Sequence, residues 1–143
     1  MLELVLHGNG HMETEWFAMG KHYASSGTTI TVPEFSYNDD GALSSSFTAS
    51  NHSGVLFCSD KIDLTNYSTI YFNGKITAST ANYCRLCVWS EFGTYWPDNI
   101  VTSAINNIDG VVELDITHLR GEFFIGFGMR GPAEVIVNEL ILR

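Results

Sequence analysis

The closing third of the chain carries the clearest pattern. Val111 to Arg143 holds three apolar runs separated by short polar breaks. In the run Glu122 to Met129, Phe123, Ile125 and Phe127 share one face of a strand, because side chains alternate with period two. Gly126 and Gly128 fall on the other face, where a bend or a close neighbouring backbone favours residues without a Cβ. Arg130-Gly131-Pro132 stops the strand, since proline cannot donate to a central ladder. The final run, Ala133 to Leu142, is almost continuously apolar and predicts a strand inside a sheet, covered on both faces.

The rest of the chain repeats this grammar in shorter phrases. Leu2, Leu4 and Leu6 alternate and stop at His7-Gly8-Asn9-Gly10, a turn signal because Asn and Gly tolerate positive φ. Further strands are predicted at Thr14 to Met19, Thr28 to Val32 (β-branched up to Pro33), Leu43 to Ala49, Val55 to Ser59, Thr69 to Phe72, Lys75 to Thr77, Tyr83 to Trp89 and Ile100 to Ile105. Phe35 to Asp40 reads as a loop, and Asp40-Gly41 opens a hairpin. Ser50 to Gly54, Ser79 to Asn82 and Asn106 to Gly110 read as polar turns, and Asn73-Gly74 as a break between strands. No dozen residues keep apolar positions at helical spacing. Many short strands with frequent turn signals predict an all-β protein: a two-sheet antiparallel β-sandwich of jelly-roll topology, one domain over residues 1–143.

Composition narrows the function classes. The chain is 45% hydrophobic with nine Phe, six Tyr and three Trp, too apolar for a disordered protein. Only 16% of residues are charged, and Ser, Thr and Asn take the polar positions instead. The net charge of −9 opposes binding to nucleic acid or to an anionic membrane surface, and no apolar run reaches the ~20 residues that span a bilayer. The start, MLELVLHGNG, lacks the features of a signal peptide.

Motif chemistry is sparse. Cys84 and Cys87 are spaced as a CxxC pair, but within the strand-like YCRLCVW they point to opposite faces. No second pair completes a zinc site, so these and Cys58 are expected to be free thiols, buried or half-buried, with one bridge from Cys58 to Cys84 or Cys87 as the alternative. His7, His11, His22, His52 and His118 are scattered and expected at the surface. No Gly-x-Ser-x-Gly elbow, HExxH or phosphate-cradling glycine loop is present. Glu91, Asp98, Glu113 and Asp115 are the carboxylates from which a glycoside-hydrolysing pair would have to be drawn, and their separation is not readable from sequence. A non-enzymatic role is expected.

Two phrases carry a family likeness. KIDLTNYSTIYFNGKI (61–76) and VVELDITHLRGEFFIGFGM (111–129), with the terminal apolar strand, resemble jelly-roll domains of phage tail and receptor-binding proteins and of secreted bacterial proteins, domains similar to non-catalytic carbohydrate-binding modules. The resemblance implies a glycan on a cell surface as partner and a virion or extracellular setting. It also implies a structural calcium in some members, for which Glu13, Glu15 and Glu139 are the acidic candidates; no other cofactor is expected. In physical terms, Asp63 or Thr65 caps backbone N–H groups while Ile62, Leu64 and Tyr67 plug one end of the sandwich, and Leu114 to Thr117 does the same.

The sharpest local signal is Arg85 to Asn99. Flat aromatics interleave there with carboxylate and amide groups, the parts that stack on a sugar's C–H face and bond its hydroxyls. The candidate contacts are Tyr83, Arg85, Trp89, Tyr95, Trp96 and Asp98. Tyr83, Arg85, Cys87 and Trp89 share a strand face opposite Cys84, Leu86 and Val88, and Tyr71, Asn73 and Lys75 share the equivalent face of another strand. The competing reading packs Trp89 and Trp96 onto the core. The rival functions are a structural virion module making subunit contacts, expected as a trimer, and a carbohydrate-binding module of a secreted glycosidase.

Overall fold

The computed structural model describes residues 3–8, 15–19, 29–30, 32–47, 52–78, 83–90, 99–104, 107–130 and 132–143. Their strands are β1 (Leu4–His7), β2 (Trp16–Met19), β3 (Thr29–Ile30), β4 (Glu34–Tyr37), β5 (Leu43–Phe47), β6 (His52–Asp63), β7 (Thr69–Ala78), β8 (Tyr83–Trp89), β9 (Asn99–Ala104), β10 (Asn107–Asp115), β11 (Glu122–Arg130) and β12 (Ala133–Leu142). Among the described residues there is no helix. The predicted turns at Asn9-Gly10 and Ser79–Asn82, and the segment 91–98, lie outside these residues.

The strands form two sheets in a jelly-roll sandwich. One has the order β10-β7-β12-β5-β4, with β1 also on β12; the other has the order β2-β6-β11-β8-β9, with β3 on β6. All pairings are antiparallel except the short β3–β6 contact. From β6 to β12 the chain crosses repeatedly between the sheets, so the long strands β7 and β12 pair in the first and β6 and β11 in the second.

Alternation decides which side chains meet. From the first sheet Ile70, Phe72, Ile76, Val135, Val137, Leu140 and Leu142 point inward; from the second come Leu56, Cys58, Cys84, Leu86, Val88, Ile125, Phe127 and Met129. The sheets touch through Phe72 and Phe127, whose centroids lie 5.5 Å apart at 67°, an edge-to-face contact. Trp16 stacks on the far side of Phe127 at 6.2 Å. The hydroxyl of inward-facing Ser45 donates to the Glu34 carbonyl at 2.8 Å, so its burial leaves no lost hydrogen bond.

Both Asp-centred phrases close one end of the sandwich, as expected. The Thr65 N–H donates to Asp63 Oδ1 at 3.0 Å and the Thr117 N–H to Asp115 Oδ1 at 2.9 Å; the Thr117 hydroxyl also donates to Asp115 Oδ1. Leu64 and Ile116 are fully buried beneath these turns. The turns are tied together: Leu64 N–H donates to the Gly121 carbonyl at 2.9 Å, and Gly121 N–H to Thr65 Oγ1 at 3.0 Å. Gly121, at φ 94°, supplies the left-handed backbone of the predicted Arg120-Gly121 turn.

Several boundaries differ from the sequence reading, each for a local reason. Glu34–Tyr37 is an edge strand, not a loop; its inner side chain, Phe35, packs against the core. Asn73-Gly74 does not interrupt β7, because Gly74 faces inward where the Ile136 carbonyl crowds it: an added Cβ would lie 2.0 Å from that oxygen. β6 continues to Asp63, past the predicted stop at Ser59, through a register shift against β11. Gly110 lies within β10 at φ 136°, not in a turn before it. His7 is not a surface residue: it is fully buried, stacked on Tyr37 at 5.9 Å and edge-on to Trp16 at 6.4 Å.

Two outcomes test this account. A Cβ on Gly126 would sit 2.2 Å from the Leu56 carbonyl oxygen and 2.5 Å from Phe57 Cα. Gly126→Ala is therefore expected to lower unfolding stability by about 2 kcal/mol or more in urea titrations, while Val111→Ala, at an exposed strand position, changes it by less than about 1 kcal/mol. The second concerns acid. Hydrogen bonds from the Thr65 and Thr117 side chains, then from their N–H groups, hold the Asp63 and Asp115 carboxyls below the usual aspartate range. Depressed folded values give stability that is present above the unfolded aspartate value, about 3.9, and is lost as pH falls through the folded ones. Asp63→Asn with Asp115→Asn keeps an oxygen acceptor in each turn and removes the titration, so unfolding midpoints should fall less steeply below about pH 4 than in the parent.

Candidate functional site

Of the predicted contacts, Arg85 and Trp89 lie on the outward side of the sheet β2-β6-β11-β8-β9. Arg85, Cys87 and Trp89 leave β8 on this face, opposite Cys84, Leu86 and Val88 in the core, as alternation requires. The ladders set the neighbours. Phe17 of β2 lies opposite Phe57 of β6, which lies opposite Gly126 of β11, which lies opposite Cys87 of β8. One row along, Met19, Val55, Gly128 and Arg85 line up in the same way, and Phe124 lies opposite Trp89.

Three phenylalanines dominate the face. Phe17 is 42% exposed, with Phe57 and Phe124 half-buried beside it. Phe17 and Phe57 stack with centroids 5.8 Å apart at 28°, and Phe57 meets Phe124 at 5.8 Å with the planes at 79°. The Lys61 ammonium sits 5.5 Å over the Phe124 ring. The β6–β11 irregularity puts it there: Ile62 pairs with Phe123 and Cys58 with Ile125, so residues 59–61 of β6 oppose Phe124 alone. Bulges of this kind re-aim a side chain.

The predicted contact residues divide. Arg85 is half-buried on this face, and Tyr83 pairs with Arg130 at the end of the β8–β11 ladder. Tyr95, Trp96 and Asp98 lie outside the described residues. Trp89, read from sequence as a contact residue or as a packed one, has no exposed surface here: it packs with Val55 and Cys87, and Met19, Phe57 and Phe124 pack against that cluster. Sequence reasoning passed over Phe17, Phe57 and Phe124, although the signal was present. Adjacent phenylalanines at 123 and 124 must send one ring to each face, and Phe17 and Phe57 alternate with core residues Trp16, Leu56 and Cys58.

The three thiols are buried and form no disulfide with one another, and burial pushes Cys58 and Cys87 up to about 12 and Cys84 well above the ordinary thiol value. Thiols of this kind are inert packing groups. Of the acidic calcium candidates, Glu13 lies outside the described residues, Glu15 is exposed and raises the Tyr37 hydroxyl pKa behind the larger effect of burial, and Glu139 Oε1 accepts from Asn73 Nδ2 at 3.2 Å. Among the described residues no three His, Cys, Asp or Glu side chains are grouped to hold a metal. No helix among them is long and apolar enough to cross a membrane.

The two outer faces differ in composition. The opposite sheet turns Glu34, Glu134, Asp109, Glu113 and Asp115 outward, with Ser36, Ser44 and Ser46, and with Tyr71, Asn73 and Lys75 beside β10. The phenylalanine face carries Lys61 and Arg85, with Asp63 and Glu122 paired at its far end.

No family model and no curated protein matches the chain. Solved structures do. A low-affinity xylan-binding module from Roseburia intestinalis superposes with a TM-score of 0.51 at 10% identity, over 91% of this chain and 94% of that one. Another xylan-binding module gives 0.50 at 13% identity, over 99% and 95%. A Cellvibrio japonicus xylanase in complex with xylopentaose gives 0.52 at 12% identity; 99% of this chain is covered, but only 28% of that one. At these identities the likeness is one of fold: the chain has the β-sandwich architecture found in carbohydrate-binding modules.

Proposed function

We propose that the protein is a non-catalytic carbohydrate-binding domain whose binding surface is the phenylalanine face, working without a cofactor and recognising a glycan on a cell surface. The observation that carries this is the outward Phe17–Phe57–Phe124 patch, backed by Trp89 and flanked by Lys61 and Arg85. Flat apolar rings beside a few hydrogen-bonding groups are what a sugar requires: C–H faces to stack and hydroxyls to bond. The sandwich it shares with two xylan-binding modules supports the same class of ligand. Tyr83, Tyr95, Trp96 and Asp98 are kept as sequence-derived candidates for the same ligand.

The likeness of residues 61–76 and 111–129 to phrases of phage tail and receptor-binding domains is the ground for a virion setting. The likeness to a module-sized part of a xylanase chain supports the other setting, a module of a secreted glycosidase. The exposure of Phe17 favours one further reading, in which the face is a subunit contact in a trimer or larger virion assembly. Glycan-array screening followed by calorimetric titration tests the proposal. Weak binding to at least one polysaccharide class is expected, and Phe17→Ala combined with Phe57→Ala should weaken it by about tenfold or more. Binding left unchanged by that pair, or by Trp96→Ala and Asp98→Ala together with it, would reject the site.

A further inference from the structure

The longest edge strand among the described residues is β10. Its one strand neighbour there is β7, and the two pair along the whole of Asn107–Asp115. Leu114 is the only buried residue of β10; Asn107, Asp109, Val111, Glu113 and Asp115 are exposed, Val111 by 51%. The other outermost strands, β2, β4 and β9, have 4, 4 and 6 residues. In an antiparallel pair the backbone groups not bonded to the partner point away from it, so an exposed edge is a row of N–H and C=O groups that fits one more strand.

Edges are commonly closed by a proline, an inward charge or a bulge. β10 has no proline, pairs with β7 without a register shift, and turns Ile108 and Val112 inward against the core. Between those two the inner row is vacant at Gly110, where an added Cβ would meet nothing within 4 Å. A cleft of about 250 Å³, lined by Lys75, Ile76, Thr77, Asn107, Ile108 and Asp109, opens at the start of the strand.

Charge selects the occupant. β10 carries Asp109, Glu113 and Asp115 on its outward row and no basic residue. A second copy laid antiparallel about Val111 would set Asp109 against Glu113 twice, and no register of two such strands opposes a carboxylate with a cation. Like charges directly opposed destabilise a strand pair, and opposite charges stabilise it. Asp115 is already held by Thr117 in the turn that follows, which leaves Asp109 and Glu113 to face a partner.

We propose that β10 is a docking edge for an extended basic segment of a partner protein, added to the sheet as a further strand. Its Lys or Arg side chains face Asp109 and Glu113, and its aliphatic ones turn inward over Ile108, Gly110 and Val112. The backbone bonds give affinity and the charges give selectivity. The edge belongs to the sheet opposite the phenylalanine face, so the inference stands apart from the glycan reading.

Backbone-resolved NMR titration of the whole chain with a capped peptide of alternating Lys and Val, as long as β10, tests this. Saturable binding is expected, with shifts centred on β10, slowed exchange of β10 amides, and affinity that falls as salt rises. Asp109→Asn with Glu113→Gln, both exposed positions, should weaken binding about fivefold or more. Asp109→Lys with Glu113→Lys should transfer the preference to a peptide of alternating Glu and Val. The Lys–Val peptide N-methylated throughout keeps its charge and loses its N–H donors, and should bind about tenfold more weakly or worse. Equal binding of the methylated peptide would reduce the effect to charge attraction and overturn the proposal. No binding of the Lys–Val peptide, shifts centred on other strands, or a dimer of the parent joined through β10 would overturn it as well.

Discussion

The edge-to-face contact between Phe72 and Phe127 is where the two sheets become one object. Each ring projects from the centre of its sheet, Phe72 from β7 between β10 and β12, Phe127 from β11 between β6 and β8. Once these two point inward, period-two alternation leaves no freedom to the rest of their strands. Tyr71 and Asn73 must face out from β7, and Phe124, Gly126 and Gly128 must face out from β11. The candidate site is thus the complement of the core, fixed by the same register. Gly74 and Gly126 guard that register from within: at both, a neighbouring backbone occupies the space a Cβ would need.

Much of this was legible in the sequence, and the failures have definite causes. The inward set of β11, the opposite orientation of Cys84 and Cys87, the central place of the last strand and the two Asp-capped turns all follow from alternation or from local hydrogen bonding. Glu34–Tyr37 was hidden because an edge strand with one half-buried phenylalanine has too few apolar positions to show a period. Asn73-Gly74 misled because the same dipeptide serves a turn or a close strand crossing, and only the neighbouring Ile136 carbonyl decides between them. Trp89 misled for another reason. Its face was read correctly, but a side chain on the outer face of a sheet can still be packed and unexposed, and here Trp89 lies with Val55 and Cys87 in a cluster against which Phe57 and Phe124 pack. What neighbouring strands contribute to a face is tertiary information, so Phe17 and Phe57 were found only once β2 and β6 had been placed side by side.

The functional reading grows from the same division of surfaces. One outer face carries Asp109, Glu113, Asp115, Glu34 and Glu134 with serine hydroxyls, together with Lys75, Tyr71 and the exposed Val111, in a chain of net charge −9. The other exposes rings that water does not favour, with two of the chain's seven basic residues beside them. Among the described residues, the thiols and His7 are parts of the packing, and Asp63 and Asp115 cap turns.

The central claim is that alternation sends one set of phenylalanines into the sandwich and a second set out of it. Fluorine NMR of protein carrying fluorinated phenylalanine, each resonance assigned by substitution and probed with a soluble paramagnetic relaxation agent, reads that division directly. Strong broadening is predicted for Phe17, intermediate broadening for Phe57 and Phe124, and none for Phe47, Phe72 and Phe127. A monomer in which Phe17 is shielded while Phe72 or Phe127 is broadened would contradict the account.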